Sequence, residues 1–426
     1  MKLTVYPSDK GDCLLLRAES GLHILIDGGM QSSYTAHVAA SLNRLRRQGK
    51  PLDLVYVSHI DQDHISGVLR LLDDEAAWRV HEHQLANGNP SHSRPESPRP
   101  PQVGGIWHNA FHELAGDNAG AIQDMLAATA AVLFGAPGGA LREAAVERQD
   151  LALSIPEAIR VSRRIGGSQL NIPLNAEFGG KLAMVRDGQA PVQLGSLSLS
   201  VIGPFEADLK KLRSDWNKWL EVNQDALAAL QHMALIDEEN LAAGAATSIA
   251  DAAIAQANEL GRRSSVTVPN LASLMLFVEE AGKTLLLTGD GHSSDVLKGL
   301  AHHGKLDAQG RLHVDVLKVP HHGSEHNLDQ AFCDAVTADD YVFCANGAHE
   351  NPDLRVVRLI VERRLAAGGN ARFKLWFNCH SSRPGKAADV AHMAKVEGLV
   401  TELAAASGGR LKSKFLTTGT RLDVTV

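Results

Sequence analysis

Two histidines and two aspartates fall within the six positions His59 to His64 of the stretch "SHIDQDHISG", directly after the apolar run "LDLVYV". Imidazole nitrogens and carboxylate oxygens spaced one or two residues apart can aim several donor atoms at one point, which is what a divalent cation needs. Alternation would turn His59, Asp61 and Asp63 the same way, with His64 following for a second cation. A solvated polar turn with chance histidines is the plainer account of any one such motif. It loses ground as further residues of the same chemistry appear. Asp290 ends the apolar run "KTLLLTGD", where a carboxylate is poorly placed for packing but well placed to bridge two cations. "VDVLKVPHHGS" delivers His321 and His322 ahead of a glycine that permits a tight turn, and "YVFCANGAHE" delivers His349. Strand ends that repeatedly carry His or Asp are hard to assign to packing alone.

The elements that must hold these residues are short β-branched and leucine-rich runs. "KLTVYP", "CLLLRA", "LHILID" and "LDLVYV" open the chain, with a helix expected near Ala36 to Gln48. Strand signals return in "LSLSVIGP", "SLMLFVEE", "KTLLLTGD", "VDVLKVP", "YVFCANG", "FKLWF" and "RLDVTV", interleaved with helical patterns such as "NPDLRVVRLIVERRLAAG". The two strand-rich ends are expected to form one fold. Between them, Asn87 to Gly105 is rich in Pro, Ser and Gly and reads as an exposed loop or flap, while Ala115 to Arg164 and Glu206 to Arg263 read as helical insertions. The expected organisation is an N-terminal half over 1–86, the loop and first insertion over 87–180, a core strand within 181–205, a second insertion over 206–265 and the C-terminal half over 266–426.

Composition bounds the rest. With 44% hydrophobic and 21% charged residues the chain has the balance of a globular protein, and no apolar run reaches the roughly 18 residues of a membrane span. No membrane association is expected. The first residues lack a basic, apolar and small-residue succession, and the four cysteines are widely separated, so a reducing, cytoplasmic location is expected. The net charge of -7 gives no global attraction to nucleic acid. Local basic clusters at Arg44, Arg46 and Arg47, at Arg160, Arg163 and Arg164, and at Arg262 and Arg263 could neutralise a phosphate backbone, but solvated helix faces are the plainer account. "GGIWHNAFHE" (Trp107, His108, Asn109, His112) could cover the metal residues or be an insertion's own packing, and "LWFNCHSS" (Trp376, Asn378, His380) reads as a core strand with a polar exit. The second "HHG", at His302 and His303, has no strand feeding it and reads as a helix end.

Taken in order, "GDCLLLRAESGLHILIDGG", "VSHIDQDHISG", "LLLTGD" and "LKVPHHGS" resemble the metallo-β-lactamase fold superfamily, most of all the ComEC-type hydrolase domains and phosphorylcholine esterases. The resemblance covers roughly residues 1 to 80 and 190 to 355 and leaves the insertions unexplained. It implies a four-layered αβ/βα sandwich with helical insertions. It also implies two divalent ions, zinc or manganese: His59 and Asp61 at the first, Asp63, His64 and His349 at the second, and Asp290 bridging. Asp27 would support this loop from behind, and one of His321 and His322 would contact the scissile phosphate or protonate the leaving group, the other supporting the metal site. Asp63 would orient the nucleophilic water. Many superfamily members bring a further histidine to the first metal where this chain has Gly203, so the first site should be oxygen-rich and filled less tightly than the second. The implied activity is metal-dependent hydrolysis, with a phosphodiesterase or nuclease acting on nucleic acid in front. A hydrolase of a small ester or phosphocholine-type substrate, or a metal-binding regulatory module, stands behind it. The insertions would be the surfaces for a protein partner.

Overall fold

The structure is a computed structural model, and it describes residues 1–109, 154, 157–207, 209–210, 272–368 and 371–426. Two sheets carry the fold. The first contains β1 (Lys2–Val5), β2 (Leu14–Arg17), β3 (His23–Ile26), β4 (Leu54–Tyr56), β5 (Ile106–Trp107) and β14 (Leu422–Thr425), in the order β14-β1-β2-β3-β4-β5. The second runs β13-β12-β11-β10-β9-β8-β7-β6. In chain order these strands are β6 (Val192–Leu194), β7 (Leu197–Gly203), β8 (Met275–Glu280), β9 (Lys283–Leu287), β10 (Leu312–Lys318), β11 (Val336–Phe343), β12 (Phe373–Phe377) and β13 (Leu411–Phe415).

The period of two along each strand divides its side chains between two cores. Leu14, Leu16, Ile24 and Ile26 meet Leu199, Leu276, Leu285 and Leu287 between the sheets. The intervening Leu15, Leu25 and Val55 face the helical layer of α1 (Ala39–Arg47, entered through a π-helical turn at Tyr34–Val38) and α2 (Gln62–Ala86). On the far side of the second sheet, Phe277, Leu286, Leu317 and Phe343 pack on α3 (Ser293–His302), α4 (Gln330–Ala335), α5 (Leu354–Ala366) and α6 (Ala387–Ala406). Helix, sheet, sheet and helix make the expected four-layered αβ/βα sandwich. A strand with apolar residues on both faces reads as a continuous apolar run, which is why "LHILID" and "KTLLL" are so conspicuous.

The two ends of the chain do join in one fold, since β14 pairs with β1, with Leu3 opposite Val424. Strands β3 and β4 are parallel, as are β9, β10 and β11, so the carboxyl ends of β4, β9 and β10 open on one edge of the sandwich. Open sheets of this kind place their ligands at such edges. Most of the two insertions lies outside the described residues; of the first, residues 157–165 are helical. The Pro-rich segment is not a flap over that edge. It lies along the outer helices, where Trp78 of α2 donates to Ser97 O at 3.0 Å and Asn43 of α1 donates to Arg99 O at 2.7 Å. Trp107 is fully buried in the inter-sheet core as part of β5 and bonds Glu177 at 2.6 Å, so packing accounts for it; His112 lies outside the described residues.

Candidate metal centre

The chain leaves β4 through Val57, Ser58 and His59, and α2 begins at Gln62 with Asp61 as its N-cap residue. Alternation along an extended loop therefore does not describe the motif. Asp63 and His64 occupy the first helical turn, where an acidic side chain also meets the positive end of the helix. Asp61 makes no side-chain capping bond, and its carboxylate points instead at His59, 3.5 Å from Nε2. Glycines let neighbouring loops press on this turn. A Cβ on Gly11 would strike the backbone of Asp63, and Gly28 and Gly67 pack backbone to backbone. Two hydrogen bonds clamp the same contact, Gly28 N to His64 O at 2.8 Å and Gly67 N to Gly29 O at 2.9 Å.

Each histidine is oriented by its outer nitrogen. Asp27, held at a positive φ of 54°, accepts from Ser58 N and Ser58 Oγ at 2.7 Å each and pairs with His64 Nδ1 at 2.9 Å. His322 Nδ1 bonds Cys344 O at 2.9 Å, and His321 Nδ1 bonds Asn327 Oδ1 at 2.6 Å. With the Nδ1 protons spent on protein acceptors, the Nε2 atoms of these three histidines face inward with their lone pairs, the arrangement in which imidazole ligates metals.

Those Nε2 atoms converge on one oxygen. Asp290 Oδ2 lies 3.2 Å from His322 Nε2, 3.3 Å from His64 Nε2, 3.6 Å from His59 Nε2 and 3.7 Å from His321 Nε2. His64 Nε2 and His322 Nε2 are 3.4 Å apart, and Asp63 Oδ2 is 3.5 Å from the latter. A tetrahedral ion with bonds of about 2.0–2.1 Å has donor-to-donor edges of about 3.3–3.4 Å, and the edges among His64, Asp290 and His322 match them, with Asp63 beside His322. His59 Nε2 lies between two further carboxylates, 3.5 Å from Asp61 Oδ2 and 3.6 Å from Asp290 Oδ2. The buried His59 Nε2 and Asp61 Oδ1 make no hydrogen bond, which is costly unless a cation is their partner.

Asp12, His64, Asp290 and His322, all buried, also place one donor atom each within 4.8 Å of the others. Asp12, however, approaches the histidines from behind, 3.3 Å from His322 Nδ1 and 4.0 Å from His64 Nδ1, and is ion-paired to the buried Lys318. It orients ligands more readily than it supplies one. Electrostatics show how strongly the pocket attracts positive charge. Burial opposes imidazolium at His64 and His322, yet Asp290, with Asp27 and Asp63 at His64, outweighs it and raises both well above the usual range. Burial likewise opposes ionisation of Asp63 and Asp290, and the surrounding histidines hold both well below the usual carboxylate range. His321 goes the other way: burial outweighs Asp290 and lowers it, so it is neutral.

Residues 7–138 match the family model of the metallo-beta-lactamase superfamily. No curated protein matches the chain. Metallo-beta-lactamase superfamily proteins are mostly metal-dependent hydrolases, and the αβ/βα sandwich with a buried Asp and His cluster at its edge agrees with that assignment. Against the superfamily expectation, two residues stand elsewhere. His349 sits on the exposed turn Ala348–Glu350, where positive φ values at Gly347, His349 and Glu350 redirect the chain, and none of the ion pairs above includes it. His322 is in the pocket, 3.2 Å from Asp290 Oδ2. Gly203 ends β7 opposite Met275, whose side chain fills the space that a larger residue at 203 would need.

The pocket also contains residues that the motif reading passed over. Asp12 stood in view in "GDC", and Lys318 was signalled by a lone lysine within the apolar strand "VDVLKVP". Asn327 had no signal, because its part depends on a turn that returns it to His321 and to Asp290 O, 2.8 Å from its Nδ2. Arg160 and Arg164 pair with Asp73 at 3.0 and 2.6 Å, Arg44, Arg46 and Arg47 end α1, and Arg262 and Arg263 lie outside the described residues. His302 ends α3 and His303 Nε2 bonds Val201 O at 2.8 Å, while Asn378 braces Tyr6 O and Ser8 Oγ at 3.0 and 2.9 Å.

Proposed function

We propose that this chain is a two-metal phosphodiesterase, with nucleic acid the foremost substrate class. The observation that carries the reading is the convergence of histidine Nε2 atoms on the single oxygen Asp290 Oδ2. Asp63, His64, Asp290 and His322 would hold one divalent ion, and His59, Asp61 and Asp290 the other. Five carboxylates, of Asp12, Asp27, Asp61, Asp63 and Asp290, surround the pocket and Lys318 returns one positive charge, so two divalent cations bring it to neutrality. When bound, such ions supply Lewis acidity and an acidified water for attack at phosphorus.

The chain's own residues divide the remaining work by exposure. His64 and His322 are buried, whereas the side chains of Asp61, Asp63 and His321 are 18%, 14% and 19% exposed and form the mouth. Asp63 is placed to orient the attacking water, and His321, neutral with the lone pair of Nε2 inward, is placed to accept a proton beside the phosphoryl group. Lys10, next to the glycine that abuts Asp63, adds a cation favourable to a phosphate there. Hydrolysis of bis-p-nitrophenyl phosphate and plasmid DNA across manganese, zinc and magnesium, beside Asp63→Ala, tests the proposal. Metal-dependent turnover abolished in the variant is expected. Turnover confined to p-nitrophenyl phosphorylcholine would move the substrate class to small esters, and none on any substrate would leave a regulatory module.

A further inference from the structure

Lys318 is the last residue of β10 and is 1% exposed, an unusual burial for an ammonium group. Its position is fixed by the ladder, since β10 pairs with β9 through Lys318 and Leu287 and with β11 through Lys318 and Val342, and Thr288 Oγ1 bonds its carbonyl at 2.8 Å. The side chain reaches past the strand end. There Nζ donates to Gly289 O at 2.9 Å, contacts Asp12 Oδ2, and lies 3.6 Å from Asp290 Oδ1. The two oxygens of Asp290 therefore face different partners: Oδ1 faces the lysine, and Oδ2 faces His59, His64, His321 and His322. A lone carboxylate can rotate about its Cβ–Cγ bond and offer one oxygen to each of two cations. An ammonium fixed behind one oxygen opposes that rotation, because a cation drawn toward Oδ1 would meet like charge at close range in a water-poor pocket.

We propose that Lys318 is a positioning residue that reserves Asp290 Oδ1, so that both metals must share Oδ2 and bind as a coupled pair. The proposal rests on the two-metal reading above and goes beyond it, because that reading holds whichever oxygen bridges. Asp12 is the lysine's counter-ion here. It keeps the ammonium at the end of β10 and offsets its charge without facing the inward nitrogens.

The test is a cobalt titration of the full chain, followed by the visible ligand-field spectrum and by elemental analysis. Wild type should take up two equivalents; failure to do so would sink the two-metal reading and this proposal with it, whereas two equivalents bound equally by wild type and by the lysine variants would overturn this proposal alone. Asp12→Asn, which removes the counter-ion alone, is the reference whose metal uptake and spectrum set the baseline for the lysine. The double variant Asp12→Asn with Lys318→Met removes the buried ion pair together, which avoids an unpaired buried charge. It should bind the second equivalent at least tenfold more weakly and show an altered spectrum. Circular dichroism and a cooperative melt would establish that it folds. If the double variant binds both equivalents with the affinity and spectrum of Asp12→Asn, Lys318 serves only to neutralise Asp12 and the proposal falls. Should the double variant not fold, Lys318→Gln in the wild-type background reads the same second affinity, with the same two outcomes.

Discussion

His321 and His322 are neighbours in sequence with different environments, and the difference lets their roles be separated by experiment. Both have positive φ, 42° and 56°, a conformation that turns consecutive imidazoles to different depths. His322 is among the buried ligand candidates, while His321 stands at the mouth. His322→Ala should lose about one metal equivalent by elemental analysis, whereas His321→Ala should keep both and lose turnover by about 10²–10⁴-fold, the usual worth of a proton-transfer group. Equal metal loss in both variants would contradict the division. A pH dependence follows from the raised His64 and His322. A folded pKa above the unfolded value of about 6.5 contributes stability that is complete below that value and is lost as pH rises through the folded pKa. Metal-stripped protein should therefore lose melting temperature as pH rises above about 6.5 relative to metal-loaded protein, in which these nitrogens carry no proton. Metal uptake at neutral pH should release protons, seen in calorimetry as a heat that varies with buffer. A difference between stripped and loaded melts that stays constant with pH would count against imidazolium at these positions.

At the scale of the element, α2 is held to the first sheet by contacts that glycine alone permits. Gly67 lies within the helix, and a Cβ there would strike the Gly28 carbonyl. In an exposed helix interior Gly→Ala stabilises by about 1 kcal/mol. Here the sign should reverse, with Gly67→Ala costing about 1–3 kcal/mol as the helix is pushed from the loop that carries Asp27. Urea unfolding measures this, and a stabilised variant would show that the close approach is not needed. The strands and α5 were legible because their side chains repeat with the period of their structure. The start of α2 was not, because "HIDQDH" satisfies an extended alternation as well as a helical turn, and only the glycine contacts and the Asp61 N-cap distinguish them. Strand β13, "LKSKF", was missed as well. It is a sheet edge with three exposed middle residues, so it lacks the apolar run of a buried strand.

For the whole molecule, the site and the cores are separate sources of stability. The inter-sheet core and the two helical layers bury their apolar residues without using the metal pocket, so metal-stripped protein should remain folded. Chelation should still lower the melting temperature, because each site filled at 100 times its dissociation constant adds about 2.7 kcal/mol. Restoring manganese or zinc should return it, with zinc the stronger at the site of His64 and His322. Loss of all cooperative unfolding on chelation would instead make the metals part of the fold itself.

What the amino-acid sequence determined by itself was local: the runs that become strands, the residues at the ends of β4, β9 and β10, and the metal-binding chemistry of the His and Asp types gathered there. These follow from side-chain period and donor type, which are properties of short segments. The tertiary structure decided which donors meet. It brought His322 to Asp290, filled the space beside Gly203 with Met275, and buried Lys318 and Asp12 beside them. Those outcomes depend on the register between β9, β10 and β11 and on turns at positive φ, where a few residues redirect a side chain by several ångströms. No local pattern encodes such distances, because they are set by strands that approach one another only when two distant parts of the chain close into one sandwich.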